Sequence, residues 1–185
     1  MPKKMGRKEW YSLIAPKMFK EKIIGETPVG DAKVLIGRRA QVNLVNLIGD
    51  LSKYYINLYF RVIDVKEKNA YTEFSGLECM RDYISRFIRY GIKRIDTIQD
   101  LTTKDNKKIR VKTIIITSKK IKKSVAVNLK KFVEDGLKEE VTTGRLDEFV
   151  EKIIDDTIKK SVIEEGNKIY PIRAFEIRKI ETSSK

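Results

Sequence analysis

The strongest constraint on the fold is a pair of β-rich runs in the middle of the chain, residues 94–103 and 108–117. They flank a short polar connection in which Asp105 and Asn106 are turn-forming residue types. Two β-rich runs joined in this way predict an antiparallel hairpin. We therefore expect antiparallel sheet at the centre of the fold.

Positive charge is concentrated around this hairpin. Residues 101–131 contain eleven Lys or Arg against a single acid, Asp105, whereas residues 132–166 contain five basic and eleven acidic residues. A basic hairpin followed by the lysine-rich residues 118–123 and a helical pattern is typical of a phosphate-binding surface. A heat-adapted protein also carries many charges, but it does not need to segregate them. The pattern favours a nucleic-acid partner.

Composition narrows the function classes further. The chain has 185 residues and a net charge of +14, which favours RNA, DNA or an anionic membrane. Its longest apolar runs are too short to span a bilayer, and the N-terminus lacks the apolar core of a signal peptide, so no membrane partner is expected.

The residue inventory argues against catalysis. With no histidine, a single cysteine (Cys79) and no glycine-rich phosphate loop, the chain offers few groups for an active site, and we expect no enzyme, metal or cofactor. One cysteine also excludes an intrachain disulfide and indicates a reducing compartment.

The N-terminal 18 residues are predicted to form a basic arm. Residues 1–8 are too polar to bury themselves and are expected to become ordered only on a partner. Trp10 lies among basic residues, where it can stack on an unpaired base, or it can anchor the segment to the core together with Phe19. The sequence leaves both interpretations open.

Periodicity predicts the remaining elements. Strands are expected at residues 42–48, 54–66, 70–74 and 169–181, and helices at 77–90, 124–140 (capped by Ser124), 146–156 and in a shorter piece ending near Glu165. The predicted fold class is α+β: a mainly antiparallel, curled, β-barrel-like sheet with about three flanking helices. Residues 19–181 are assigned to a single RNA-binding domain and residues 182–185 to a short polar tail.

The candidate RNA-binding residues are basic side chains near turns and termini, together with the one tryptophan. They are Lys3, Lys4, Arg7, Lys8, Trp10, Lys17, Arg38, Arg39, Lys107, Lys108, Lys119, Lys120, Lys122, Lys123, Lys130, Lys131, Arg178 and Lys179.

Four motifs, in order along the chain, carry a resemblance to a known family. They are Lys8-x-Trp10-Tyr11-x-x-x-Ala15-Pro16-x-Met18-Phe19, Leu35-x-Gly37-Arg38-x-x-x-Val42-x-Leu44-x-x-Leu47, Lys68-Asn69-x-x-Thr72-x-Phe74-x-Gly76 with Arg81-Asp82, and Ile169-Tyr170-Pro171 with Arg178-Lys179. Together they resemble the archaeal and eukaryotic S-three-a (eS-one) family of small-subunit ribosomal proteins. The chain departs from the family signature at Gln41 and Asn46, where acids are expected.

The resemblance implies a structural, cytoplasmic ribosomal protein on the platform of the small subunit near the messenger exit. Its implied partners are small-subunit ribosomal RNA, neighbouring ribosomal proteins and messenger RNA near the exit. Two alternatives stay open from the residues themselves. One is a free-standing single-stranded nucleic-acid-binding protein with an OB-like barrel, and the other is a protein-interaction scaffold with incidental basic charge.

Overall fold

A computed structural model of the protein describes residues 8–183, which contain eight strands and five α-helices. The chain divides into two compact units, Met1–Gly76 and Leu77–Lys185. In chain order the elements are β1 (Glu9–Ile14), β2 (Ile23–Val29), β3 (Arg39–Asn43), α1 (Leu44–Ile48), β4 (Ile56–Lys66), β5 (Asn69–Cys79), α2 (Arg81–Ser85), β6 (Arg94–Thr102), β7 (Lys108–Thr117), α3 (Lys123–Thr143), α4 (Leu146–Ile154), α5 (Thr157–Gly166) and β8 (Ile172–Ser183).

The first unit is built around mixed strand pairing. Strand β1 pairs antiparallel with β2 and parallel with the start of β5, β4 pairs with β5, and β3 pairs antiparallel with β4. Alternate residues along β4 are buried, as the period of two in its sequence predicts. Phe60 of β4 meets Phe19 edge-to-face, with 5.6 Å between ring centroids. The aromatic that anchors the N-terminal segment is therefore Phe19, while Trp10 stays 61% exposed.

The second unit has an antiparallel sheet covered by helices. Strand β7 pairs with β6 on one side and with β8 on the other. Residues Ile114 and Ile116 of β7 and Phe175 of β8 are almost completely buried. The apolar stripe of α3 supplies Leu129, Val133, Leu137 and Val141 to this core.

The α+β class and the mainly antiparallel pairing are confirmed, but the barrel-like closure is not. Among residues 8–183, no pairing joins β2, β3 or β6 into a closed ring. At β6, the side chain of Gln99 donates a hydrogen bond to the Glu134 carbonyl of α3, 2.9 Å away, so this edge meets a helix. The expectation of about three helices is also corrected to five in the described residues, because α1 forms where a strand was expected and the piece ending near Glu165 is a full helix, α5.

Two elements were predicted with the wrong structure. The strand expected at residues 42–48 ends at Asn43, whose side chain accepts a hydrogen bond from the Val45 amide at 3.0 Å and so starts helix α1. The helix expected at residues 77–90 is reduced to α2, because β5 continues past Gly76 and buries Leu77 and Cys79.

The central hairpin is confirmed as β6 and β7, with Asn106 at positive φ in the turn. Helix α3 starts one residue before Ser124, with Lys122 at the N-cap position, so Ser124 is not the cap. The predicted helix beginning at Leu146 is confirmed as α4, and the predicted shorter piece ending near Glu165 is confirmed as α5.

Candidate nucleic-acid interface

Residues 118–123, which are the connection between β7 and α3 and the first residue of α3, are called the lysine loop here; the four lysines are all exposed. Its backbone is held at several points. The Thr117 hydroxyl donates to the Lys119 carbonyl at 2.7 Å, the Ser118 amide donates to the Pro171 carbonyl at 3.0 Å, and the Tyr170 hydroxyl donates to the Lys120 carbonyl at 3.3 Å. The loop therefore combines a fixed main chain with long cationic side chains in solvent.

An aromatic side chain lies beside the lysine loop. Tyr90 is 98% exposed, and the Lys120 ammonium nitrogen lies 5.3 Å from its ring centroid. At this distance a cation and a ring attract each other by about 0.5–1 kcal/mol at an exposed site. Exposed aromatics beside cations are the usual means of holding an unpaired base and its phosphate together.

The tip of the β6–β7 hairpin, residues 103–108, lies at the other end of β7 from the lysine loop. Ten residues of strand separate them, which corresponds to about 30 Å. At the tip, Asp105 accepts a hydrogen bond from the Leu146 amide at 3.4 Å, and the Lys104 amide donates to the Gly144 carbonyl at 3.2 Å. The tip is therefore bonded to the start of α4, and residues 101–131 do not form one continuous basic surface.

Several cations of the same stretch are engaged by acids. Arg110 makes two hydrogen bonds to Asp100, at 2.6 and 2.8 Å, which lower the pKa of that carboxyl. Lys112 donates to Glu181 at 2.8 Å, and this bond, with another from Lys179, lowers the pKa of Glu181 to about 2. These ion pairs hold β6, β7 and β8 together across the sheet.

The remaining candidate residues of the second unit differ in their surroundings. Lys130 lies 3.6 Å from Glu134, one turn further along α3, whereas Lys131 is exposed. Lys179 lies 2.9 Å from Glu181 and 3.9 Å from Glu78, and Arg178 is half-buried on β8. Lys108 is exposed at the hairpin tip and Lys107 is half-buried there. The structure thus brings Lys119, Lys120, Lys122 and Lys123 together and separates them from Lys107 and Lys108.

In the first unit, Lys8, Trp10, Lys17, Arg38 and Arg39 are all exposed. The side chain of Arg38 donates to the Thr27 hydroxyl, and Arg39 begins β3 opposite Arg61 of β4. Three further predicted residues, Lys3, Lys4 and Arg7, lie outside the described residues.

Three residues beside the lysine loop are absent from the sequence-based set. Tyr90 and Tyr170 contact Lys120 through the ring and the hydroxyl described above, and the exposed Lys93 donates its amide to the Thr117 hydroxyl at 3.1 Å. In the sequence, Tyr90 falls at the end of a pattern that predicts a helix. Its exposure follows only from the early end of α2, which periodicity does not reveal.

Two other features bear on the kind of site in the described part of the chain, namely metal-ligand groups and membrane-spanning helices. Across residues 8–183, no group of three or more acidic, cysteine or histidine side chains is placed to hold a metal ion. None of the helices found there is both long and apolar enough to cross a membrane.

Comparison with known proteins identifies the family of the chain. The Ribosomal S3Ae family matches residues 2–185, nearly the whole sequence. The chain belongs to this family. The match agrees with the S-three-a resemblance that the four motifs carry. It also spans both compact units, so the two together form the family's shared region.

Individual relatives agree with the family match. The chain is 36% identical over 178 residues to the small ribosomal subunit protein eS1 of Methanopyrus kandleri, covering 94% of this chain and 84% of that protein. It is 36% identical over 172 residues to the protein of the same name from Sulfurisphaera tokodaii, covering 93% and 89% of the two chains. A Saccharolobus islandicus protein of that name is 34% identical over 176 residues.

Proposed function

We propose that the protein is a non-catalytic, structural component of the small ribosomal subunit that binds ribosomal RNA. The observation that carries this proposal is the lysine loop, whose main chain is held by Thr117, Pro171 and Tyr170 while four lysines extend into solvent beside Tyr90. Lysine ammonium groups suit phosphates as point charges and carry no base specificity of their own.

The fixed main chain matters for affinity. Ordering a mobile loop on binding costs conformational entropy, and a loop that is already held by hydrogen bonds avoids much of that cost. The lysine side chains still lose freedom when they meet phosphates. The geometry therefore supports binding by charge and RNA shape, with an unpaired base stacked on Tyr90.

The finer placement rests on the family resemblance. We propose that the protein lies on the platform of the small subunit near the messenger exit, in the cytoplasm, with neighbouring ribosomal proteins and messenger RNA within reach. A free-standing protein that binds single strands would use the same lysines and the same tyrosine. A ribosomal protein should sediment with the small subunit, whereas a free-standing protein should not.

Sedimentation tests the proposal directly. In a gradient at roughly physiological salt, about 0.15 M, the full-length protein should migrate with small subunits. A variant with Lys119, Lys120, Lys122 and Lys123 all changed to Gln should shift toward the top of the gradient. It should remain folded, with its unfolding temperature lowered by a few degrees at most, because exposed substitutions rarely change stability by more than about 0.5 kcal/mol each. Wild-type protein that stays at the top of the gradient would contradict a ribosomal role.

A further inference from the structure

The three long helices of the second unit enclose a groove with an apolar floor. It has a volume of about 390 Å³ and is called the helix groove here. The floor contains Leu137 of α3 and Ile158 and Val162 of α5, all buried, with the half-buried Phe132 beside them. A concave site of this size with an apolar floor is within the range that protein pockets use for ligands and side chains of partners.

The rim of the helix groove is acidic in a strongly basic protein. Four glutamates, Glu139, Glu140, Glu148 and Glu165, line it against a single cation, Lys152. Lys152 is paired with Glu140, so the other three carboxylates leave the groove with a net charge of −3. The chain as a whole carries +14. A concave acidic surface concentrates cations and repels phosphate.

Gly136 gives a second, independent indication that this space is used. It lies in the interior of α3 and lines the groove, and a Cβ built on it would meet no atom within 4 Å. A glycine inside a helix costs about 1 kcal/mol relative to alanine. No neighbouring atom requires a glycine at this position. A larger side chain would fill part of the groove, so the lost helix stability keeps the groove open.

We propose that the helix groove binds a basic, extended segment of another small-subunit protein, with one large apolar side chain on the floor and Lys or Arg at the glutamate rim. This proposal rests on the proposed ribosomal function for the identity of its partner. An RNA strand is disfavoured, because its phosphates would face Glu139 and Glu165 together with Glu148, whose carboxylate already accepts the Arg145 amide at the start of α4. Charge complementarity favours a partner as basic as ribosomal proteins must be to bind RNA.

The direct test uses a fluorescein-labelled peptide of lysines and arginines with one central phenylalanine, titrated with full-length protein. The double variant Glu139→Lys with Glu165→Lys should raise the peptide Kd at least about tenfold, a loss of about 1.4 kcal/mol. The matched control is Asp135→Lys with Glu164→Lys, which makes the same charge change on exposed positions of the same two helices outside the groove. It should change Kd by less than about twofold.

The apolar floor is tested separately. Gly136→Leu should abolish peptide binding and raise the unfolding temperature, because leucine is the better helix former. A peptide with serine in place of phenylalanine should bind at least about tenfold more weakly, as expected when an apolar anchor is removed. Equal binding of both peptides, or an equal loss in the groove and control variants, would overturn the proposal.

The partner is identified in the assembled subunit. A photoreactive side chain introduced at the exposed, groove-lining Ser161 should crosslink to another ribosomal protein. Crosslinks to RNA, to a second copy of this chain, or to nothing would each contradict the proposed occupant. Binding to naked ribosomal RNA separates the two proposals, since groove variants should keep that affinity. If the wild-type protein does not bind ribosomal RNA, the proposed ribosomal function is wrong. The peptide titration would still show whether the helix groove binds a basic segment.

Discussion

The lysine loop and the hairpin tip are the two ends of strand β7, and they differ in what the protein does with their polar groups. At the tip, Asp105 and the Lys104 main chain are bonded to the start of α4. At the lysine loop, the bonds involve carbonyls and amides, and the four ammonium groups extend from exposed side chains. The comparison teaches that the density of basic residues in a sequence does not locate a binding surface. What matters is where the fold holds the chain and which basic side chains it pairs with acids, as it does with Arg110 and Lys112 between the two ends.

The largest expected effect is on the salt dependence of RNA binding. Changing Lys119, Lys122 and Lys123 to Gln should lower the magnitude of the slope of log K against log salt by about two, because each lost phosphate contact removes roughly 0.7–0.9. Affinities for a small-subunit RNA fragment, measured from low to physiological salt, give the slope.

The control for this measurement is the equal charge change at the hairpin tip, Lys104, Lys107 and Lys108 to Gln. We expect it to change the slope by less than about one unit. Equal slopes for the two triple variants would remove the distinction between the ends of β7. An unchanged slope in the loop variant would mean that its lysines are merely solvated.

The next effect concerns Tyr90. Its replacement by alanine should weaken RNA binding by about 1–3 kcal/mol, the usual contribution of one stacked base, with no change in salt slope. Phenylalanine at this position keeps the ring and should bind as the wild type does. Binding curves at two salt concentrations are sufficient. A reduced slope for the alanine variant would show that the tyrosine acts by positioning Lys120.

At the hairpin tip the expected effect is on stability. Asp105→Ala removes the acceptor of the Leu146 amide and the carboxylate 3.9 Å from Arg145. Losing such a helix-start bond costs about 1 kcal/mol. Chemical denaturation should show this loss, while RNA affinity stays within about twofold. A marked drop in RNA affinity would place the tip in the RNA interface after all.

The smallest effect lies beside the middle of β7, at Glu181 of the neighbouring strand β8, which accepts a hydrogen bond from Lys112. Its pKa of about 2 is below its ordinary value of 4.5, so its stabilisation is complete above pH 4.5 and is lost as pH falls toward 2. Because the carboxylate is 42% exposed, Glu181→Gln should lower the free energy of unfolding at pH 7 by less than about 1 kcal/mol. The difference from wild type should shrink between pH 5 and pH 3. A difference that grows on acidification would contradict the assignment.

The sequence predicted most of the local elements and the mainly antiparallel pairing, but not the contacts between distant elements. The hairpin β6–β7 and helix α4 follow from patterns within a few residues, and both are confirmed. The contact between β6 and α3 joins residues far apart in the sequence, and the exposure of Tyr90 depends on where α2 ends, so neither appears in a local pattern. At Asn43 the error is local: its side chain accepts one hydrogen bond from the Val45 amide and starts a helix where the apolar pattern is typical of a strand.

The parallel pairing of β1 with β5 has a consequence for how the first unit is made. It joins Ser12 to Asn69 and Ile14 to Tyr71, residues far apart along the chain, whereas β1 and β2 are neighbours. During synthesis, at about 5–20 residues per second, several seconds separate the two partners. In that interval β1 has only a two-stranded hairpin, which is marginally stable in water. Strand β1 is therefore synthesised early but gains its second pairing partner late. Because the chain between β1 and β5 forms a long loop, we expect this pairing to be the slow step in folding of the first unit.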